Sequence, residues 1–317
     1  MSAVKAEVLA MLADGLSQRE VNRRTGVSRK TLWRWAGDVP KPDAAPRRHF
    51  VIPDRQMKAG VPLEYNVWIG KSIRDYKPDA VIDIGDNSDL PSMSSYNPLG
   101  SKAREGQRLK NDIDASNEGE RLLNKGMGNF RPKERYRFRG NHENRLLRYI
   151  EANPVLDGLI GLEMLDDEGW EIIPYSNGSP GIKVIDGVSY AHFFANPMTG
   201  KPISGTITNR LAKIGCSFVQ GHQQGLLQGN VQYANGQIRH GISAGSCYLH
   251  DEDFKGAANA HWRGVIVLNE VRDGQFCEMP LTLDYLCRKY EHMSVARYLR
   301  EHYENAEQRF TLAREAA

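Results

Sequence analysis

Five polar clusters carry the side chains capable of chemistry, and each follows a short apolar run. His49 to Pro53 leads into Asp54, Arg55 and Gln56. Ala80 to Ile84 leads into Gly85, Asp86 and, three residues on, Asp89. Arg135 to Arg139 leads into Gly140, Asn141, His142 and Glu143. Val188 to Ala191 leads into His192, and Cys216 to Gln220 leads into Gly221, His222, Gln223 and Gln224. Carboxylates, amide oxygens and neutral imidazoles are the donors that hold divalent cations.

The apolar runs have the length of strands, and helical stretches lie between them, notably over residues 65–76, 116–126 and 143–152. Alternating strands and helices predict an α/β fold. In such folds ligand sites lie beyond the carboxyl ends of the strands, where the polar clusters fall.

The ordered set Gly-Asp-x-x-Asp at 85–89, Gly-Asn-His-Glu at 140–143, the lone His192 and Gly-His at 221–222 resembles the calcineurin-like metallophosphoesterase superfamily. The resemblance covers about residues 49–270. Details such as SMSSY, GNHENR, GHQQG and HWRG look like a phage- or prophage-encoded subset. The resemblance implies a two-sheet β-sandwich flanked by helices and a two-metal phosphoesterase. It implies that Asp86 bridges two metals, that Asp54 binds the first, and that Asn141, His192 and His222 complete the second. His142 is expected near the leaving oxygen, with Glu143 orienting it and Asp89 supporting the shell. Two cations about 3.5–4 Å apart would clamp the attacking and leaving oxygens.

The pattern departs from that family at two places. The first-site histidines fall on Gln56 and Gln224, whose amide oxygens are neutral, hard and weaker donors. An oxygen-rich first site suits Mn²⁺ or Mg²⁺ better than Zn²⁺. Two ions per chain are expected, with the first held loosely. A one-metal or degenerate site is the alternative.

Weaker candidates surround this set. Arg145 is read either as a phosphate ligand or as a salt-bridge partner of Glu143 or Glu151. His240, His250 and His261 are read as structural or surface residues, and Asp251 and Asp253 as solvated. Ser243 to Ser246 lacks the Gly-Lys-Ser/Thr ending of a phosphate loop. The segment 92–112, with Lys102, Arg104, Arg108 and Lys110, reads either as a wall gripping a nucleic-acid backbone or as a mobile surface loop.

The chain has 317 residues, with 42 Lys and Arg against 39 Asp and Glu, a net charge of +3. The excess is local. Residues 1–48 hold ten basic and five acidic residues, a charge of +5 that leaves −2 for the remainder. Within this arm, residues 5–14, 18–25 and the stretch after Ser28 read as three helices. Ser17 with Glu20 forms a capping box, Leu16 with Val21 and Val27 with Leu32 form staples, and Gly26 makes the turn. The segment GLSQREVNRRTGVSRKTLWRW at 15–35 resembles the helix-turn-helix of resolvases and phage regulators. That implies a recognition helix presenting Arg29, Lys30, Thr31 and Arg34 to double-stranded DNA. A basic protein-docking domain is the alternative.

Pro40, Pro42 and Pro46 mark a linker, so the expected organisation is a helix-turn-helix at 1–38, a linker at 39–48, a phosphoesterase domain at 49–288 and a helical tail at 289–317. No run approaches the roughly 20 apolar residues of a membrane span. Met1 to Glu7 lacks a signal-like apolar core, and the four scattered cysteines read as reduced thiols, so the host-cell cytoplasm is expected and no membrane partner. The expected function is a metal-dependent phosphodiesterase or nuclease brought to DNA by its arm. The alternatives are a phosphomonoesterase, or a non-catalytic phage regulator with a degenerate domain. No oligomeric state is read from the sequence.

Overall fold

The computed structural model describes residues 3–13, 16–36, 45–94, 104–252 and 259–314. The chain forms two compact units, Met1–Ala45 and Pro46–Ala317.

The first unit holds three helices, α1 (Ala3–Ala13), α2 (Gln18–Thr25) and α3 (Arg29–Ala36). Val8, Val21 and Leu32, one from each helix, are fully buried against one another. Ser17 Oγ accepts the amide of Glu20 at 3.3 Å, and Ser28 Oγ accepts that of Thr31 at 3.2 Å. Gly26 sits at φ 70° and ends α2, a conformation that costs glycine least. The expected reciprocal capping box is only half made. The Glu20 carboxylate turns instead to Arg23 and Arg24, which outbid a backbone amide by charge.

The second unit is built on two sheets. Its elements are β1 (Arg47–Ile52), α4 (Tyr65–Tyr76), β2 (Ala80–Asp83), α5 (Leu109–Met127), β3 (Glu134–Phe138), α6 (Glu143–Ala152), β4 (Glu171–Ile173), β5 (Tyr175–Ser176), β6 (Ser179–Pro180), β7 (Ile182–Ile185) and β8 (Val188–Ala191). There follow α7 (Ile207–Ile214), β9 (Phe218–Gln220), β10 (Leu226–Gln232), β11 (Ile238–Ala244), β12 (Gly264–Arg272), β13 (Gln275–Thr282), α8 (Leu283–Glu291), α9 (Val295–His302) and α10 (Ala306–Arg309). The six-stranded sheet runs β13-β12-β1-β2-β3-β4 and the five-stranded sheet β10-β11-β9-β8-β7, with β5 and β6 a separate hairpin. Strands β1 to β4 are parallel, as are β8, β9 and β11. The chain is therefore mixed α/β.

One core is shared by the two sheets. Val51, Ile82 and Phe138 of the first pack with Val188, Tyr190 and Val219 of the second. On the other face of the six-stranded sheet lie α4 and α5, whose backbones meet closely. A Cβ on Gly126 would sit 2.3 Å from the carbonyl oxygen of Val67, so only glycine allows this approach.

Two expected boundaries move. Strand β1 begins at Arg47, two residues inside the expected linker, because Arg47 already pairs with Val271 of β12. Residues 39–44 of that linker lie outside the described residues. The expected helical tail at 289–317 packs on the domain, but it does not begin at 289. Helix α8 crosses position 288, and His292 at φ 58° then breaks the chain before Ser294 caps α9. Val295 and Leu299 are buried in the core that α4 lines, each contributing about 2 kcal/mol by burial.

A buried charge network ties the strand ends together. Arg55 reaches Asp83 at 2.7 Å and Glu120 at 3.2 Å, while Arg137 reaches the same two carboxylates and Arg135 reaches Glu120 at 3.0 Å. Arg135 and Arg137 lie against the Trp170 ring, and the indole N–H donates to Glu120 at 2.7 Å. Arg55 separates Asp54 from Gln56, so this network sets where the first polar cluster sits.

Candidate metal centre

Strands β1, β2 and β3 end side by side, and β8 and β9 end together in the other sheet. The loops that follow bring Asp54, Asp86, Asn141, His192 and His222 into one site. Gln56 (φ 40°), Asp86 (φ 51°) and His222 (φ 65°) hold left-handed backbones. Non-glycine residues adopt this at a cost of about 1–3 kcal/mol each, and such strain gathers at functional sites. A Cβ on Gly140 would lie 2.1 Å from Asp86 Oδ1, so the Asp86 and Asn141 loops touch only because that residue is glycine.

Glu143 bolts these loops together. Its carboxylate accepts the backbone amides of Asp86 at 3.2 Å, Ser88 at 2.9 Å and Gly140 at 2.8 Å. The expected role of orienting His142 therefore falls elsewhere. Asp89 Oδ1 lies 2.8 Å from His142 Nδ1, and the Asp89 carbonyl lies 3.0 Å from the same nitrogen. Both oxygens accept, so Nδ1 carries the hydrogen. Arg145 is paired with neither Glu143 nor Glu151. Its guanidinium donates to Asp89 and to His142 Nε2 at 3.0 Å. That last contact requires the neutral ring, and a proton on Nε2 displaces Arg145. Burial lowers the proton affinity of His142, but Asp86 and Asp89 more than offset it and raise the pKa above its ordinary value.

The metal-ligand chemistry is clearest at His192. Its Nδ1 lies 3.1 Å from the carbonyl oxygen of Ile84, which can only accept, so Nδ1 holds the hydrogen. Nε2 then faces Asp86 Oδ2 at 3.2 Å and Asn141 Oδ1 at 3.1 Å. His222 Nδ1 lies 2.8 Å from that same Asn141 oxygen. Ligand atoms of Asp86, His192 and His222 lie within 4.8 Å of one another, a group able to hold a metal ion. Lone pairs converge here and call for a cation. Burial lowers the His192 pKa, yet Asp86 and Asp54 raise it to about 9, so a proton fills the place otherwise. Burial and neighbouring His192 push His222 down to about 4, which keeps it a neutral donor.

A second set of unmet acceptors lies beside the first. Asp54 Oδ1 accepts the amide of His222 at 3.1 Å, but Oδ2 is buried with no hydrogen-bond partner among the described residues, and so is Gln56 Oε1. Burial raises the Asp54 pKa to about 7. Buried acceptors without donors are costly, and a cation would satisfy both. Gln224 differs, because its Oε1 accepts the Tyr248 hydroxyl at 2.6 Å.

Gln56, Asp86, Asn141, His142, His222 and Gln224 open on a cavity of about 850 Å³. Its walls include residues that carried no sequence signal. Lys58 bridges Asp89 at 3.2 Å and Glu252 at 3.1 Å, and Glu252 also holds buried His250 at 3.0 Å. Arg108 of the 92–112 segment lines the cavity, whereas Lys110 pairs with Asp114 on the surface. Arg104 donates to the Ser92 carbonyl, and Lys102 lies outside the described residues. Asp251 is not solvated as expected. It accepts the amide and hydroxyl of Thr311 at 2.8 and 2.7 Å, fastening the C-terminal segment to this loop, while Asp253 lies outside the described residues.

On α3, Arg29, Lys30 and Arg34 are exposed, and Thr31 is partly buried with its hydroxyl 2.9 Å from that of Ser28. Among the described residues no helix is long and apolar enough to cross a membrane. No protein-family model matches this chain, and no curated protein matches it in sequence.

Proposed function

We propose that this protein is a metal-dependent phosphoesterase of the metallophosphoesterase type, acting as a phosphodiesterase on DNA. The observation that carries the reading is the convergence of Asp86, Asn141, His192 and His222 on one point, with two unmet buried acceptors on Asp54 and Gln56 beside it. The shared core between the two sheets supports a sandwich of that family's kind.

Asp86, Asn141, His192 and His222 would hold one cation, and Asp54, Gln56 and Asp86 a second. Gln224, engaged by Tyr248, would contribute less. This donor set favours Mn²⁺ or Mg²⁺ for the oxygen-rich position. When bound, two such cations neutralise phosphate charge and acidify water near neutral pH. The chain's own groups do the rest. Asp89 holds the His142 ring through its Nδ1 hydrogen, and the imidazolium, whose second proton on Nε2 displaces Arg145, would give that Nε2 proton to the leaving oxygen and return to the neutral ring. Arg145 is then placed to meet a phosphate oxygen. Glu143 keeps the ligand loops in register.

The first unit is proposed as a helix-turn-helix that delivers the enzyme to double-stranded DNA, with Arg29, Lys30 and Arg34 meeting phosphates or base edges. Action in the host-cell cytoplasm as a phage- or prophage-encoded protein is part of the same proposal, supported by the motif resemblance. Turnover of a phosphodiester by metal-stripped protein resupplied with Mn²⁺ tests the catalytic half. The reading fails if no divalent metal restores turnover, or if Asn141→Ala leaves the rate unchanged, and a non-catalytic regulator then stands in its place. Duplex binding by the full chain tests the other half. Joint Arg29→Ala, Lys30→Ala and Arg34→Ala changes are expected to weaken it and to flatten its salt dependence.

A further inference from the structure

The cavity over the candidate metal centre says more about what can enter it. Asp86 is 2% exposed and His142 7%. With Asn141 and His222 they form the floor, with Lys58 and Ala59 on one side and Pro91, Ser94 and the turn from Glu105 to Arg108 on the other. About 850 Å³ lies in the range of pockets that enclose one small ligand, about 300–1,000 Å³. A floor this buried favours a flexible single strand over a stiff, stacked duplex, as with enzymes whose pockets take single-stranded or extruded nucleotides.

The charges on the walls differ in their freedom. Lys58 is committed to Asp89 and Glu252, and Arg145, resting on Asp89 and His142, is released only toward the phosphate that is cut. Asp112 is engaged by the amide and hydroxyl of Ser92 at 3.1 and 2.6 Å. Arg108 is exposed, and its guanidinium donates to the backbone carbonyl of neighbouring Gln107 at 2.8 Å, with no carboxylate partner among the described residues. Glu105 shares that wall, so the attraction Arg108 offers is a local one, made by a planar donor fork suited to phosphate.

We propose that the cavity takes a single nucleic-acid strand, with Arg108 gripping a phosphate next to the one that is cut. The inference rests on the phosphoesterase reading and narrows its substrate to a phosphate chain that enters unpaired. Arg108 is then a specificity residue, which a substrate with one phosphate cannot use.

The test compares full-length protein and Arg108→Ala with Mn²⁺ on bis(4-nitrophenyl) phosphate, a linear single-stranded oligonucleotide and a covalently closed duplex circle. The closed duplex is expected to be cut at least a hundredfold more slowly than the single strand. In Arg108→Ala the ratio of kcat/KM for the strand to that for the small diester is expected to fall about tenfold, through KM, the size of one lost charge-assisted contact. Arg108→Lys should recover part of it. A closed duplex cut as fast as the strand overturns the proposal, and so does an equal loss on both substrates. Fluorescence anisotropy of the labelled strand with Ca²⁺ separates this from failure of catalysis. If nothing is turned over, the phosphoesterase reading falls. Strand binding weakened about tenfold by Arg108→Ala would still uphold the strand site, and unchanged binding would overturn it.

Discussion

Asp89 Oδ1 lies 2.8 Å from Nδ1 of His142, and both side chains are almost wholly buried at the floor of the cavity. This pair decides which nitrogen of His142 faces the substrate. In Asp89→Asn an amide replaces the carboxylate, so the ring loses the charge partner that favours its protonated form, while the backbone carbonyl of residue 89 still accepts from Nδ1. We expect kcat for a phosphodiester to drop about a hundredfold, within the range for general acid catalysis, with bound metal unchanged. Steady-state kinetics beside metal analysis checks this. An unaltered kcat would remove His142 from the chemistry.

Glu143 accepts three backbone amides from the loops that carry Asp86 and Asn141. Removing it in Glu143→Ala leaves those buried donors unsatisfied, at about 1–3 kcal/mol each before relaxation. A melting temperature lower by several degrees is expected in metal-free protein, together with weaker Mn²⁺ binding. Calorimetric melts with chelator and with Mn²⁺ read both effects. Unchanged melts would contradict the clamp.

Glu120 is shared by Arg55, Arg135 and Arg137 inside the protein, whereas Lys110 and Asp114 pair on the surface at 80% and 58% exposure. Breaking the buried network strands uncompensated charge, so Glu120→Ala is expected to cost about 3–5 kcal/mol. Lys110→Ala should cost less than about 1 kcal/mol. Urea unfolding of the two variants measures the contrast, and comparable losses would mean that burial is not what sets the energy.

Much of this arrangement was legible in the sequence, because strand ends and ligand types lie together along the chain. Helices over 65–76 and 143–152 and the five polar clusters needed only local reading. Helix α5 was underestimated, starting at Leu109 rather than 116, because its buried face is partly polar. Asp112, Ser116 and Glu120 are inside, bonded to Ser92, to a backbone carbonyl and to the arginines, and apolar spacing does not reveal them. Lys58, Tyr248 and Glu252 were not legible either. Lys58 meets Glu252 across 194 residues of chain, a proximity only the packed sheets create. The misassigned role of Glu143 has the same origin, since its partners are backbone amides that no side-chain pattern encodes.

His250 sets a pH limit on stability. Burial, with the Lys58 charge, pushes its pKa down to about 4 against the Glu252 contact, while the unfolded chain keeps 6.5. The unfolded chain therefore takes up a proton below pH 6.5 that the folded chain refuses. Stability from this group is fully present above pH 6.5 and is lost as pH falls toward 4, by about 2 kcal/mol at pH 5. Urea midpoints at pH 7.5 and pH 5 should differ less in His250→Asn than in the parent protein, and equal differences would contradict the assignment.

Calorimetric titration of the metal-stripped protein with Mn²⁺ tests the candidate metal centre most directly. Two sites per chain are expected, one tighter than the other. His192→Ala should abolish the tighter site and Asp54→Ala the weaker. Absence of Mn²⁺ binding, or binding untouched by His192→Ala, would contradict the claim that these side chains hold a catalytic cation.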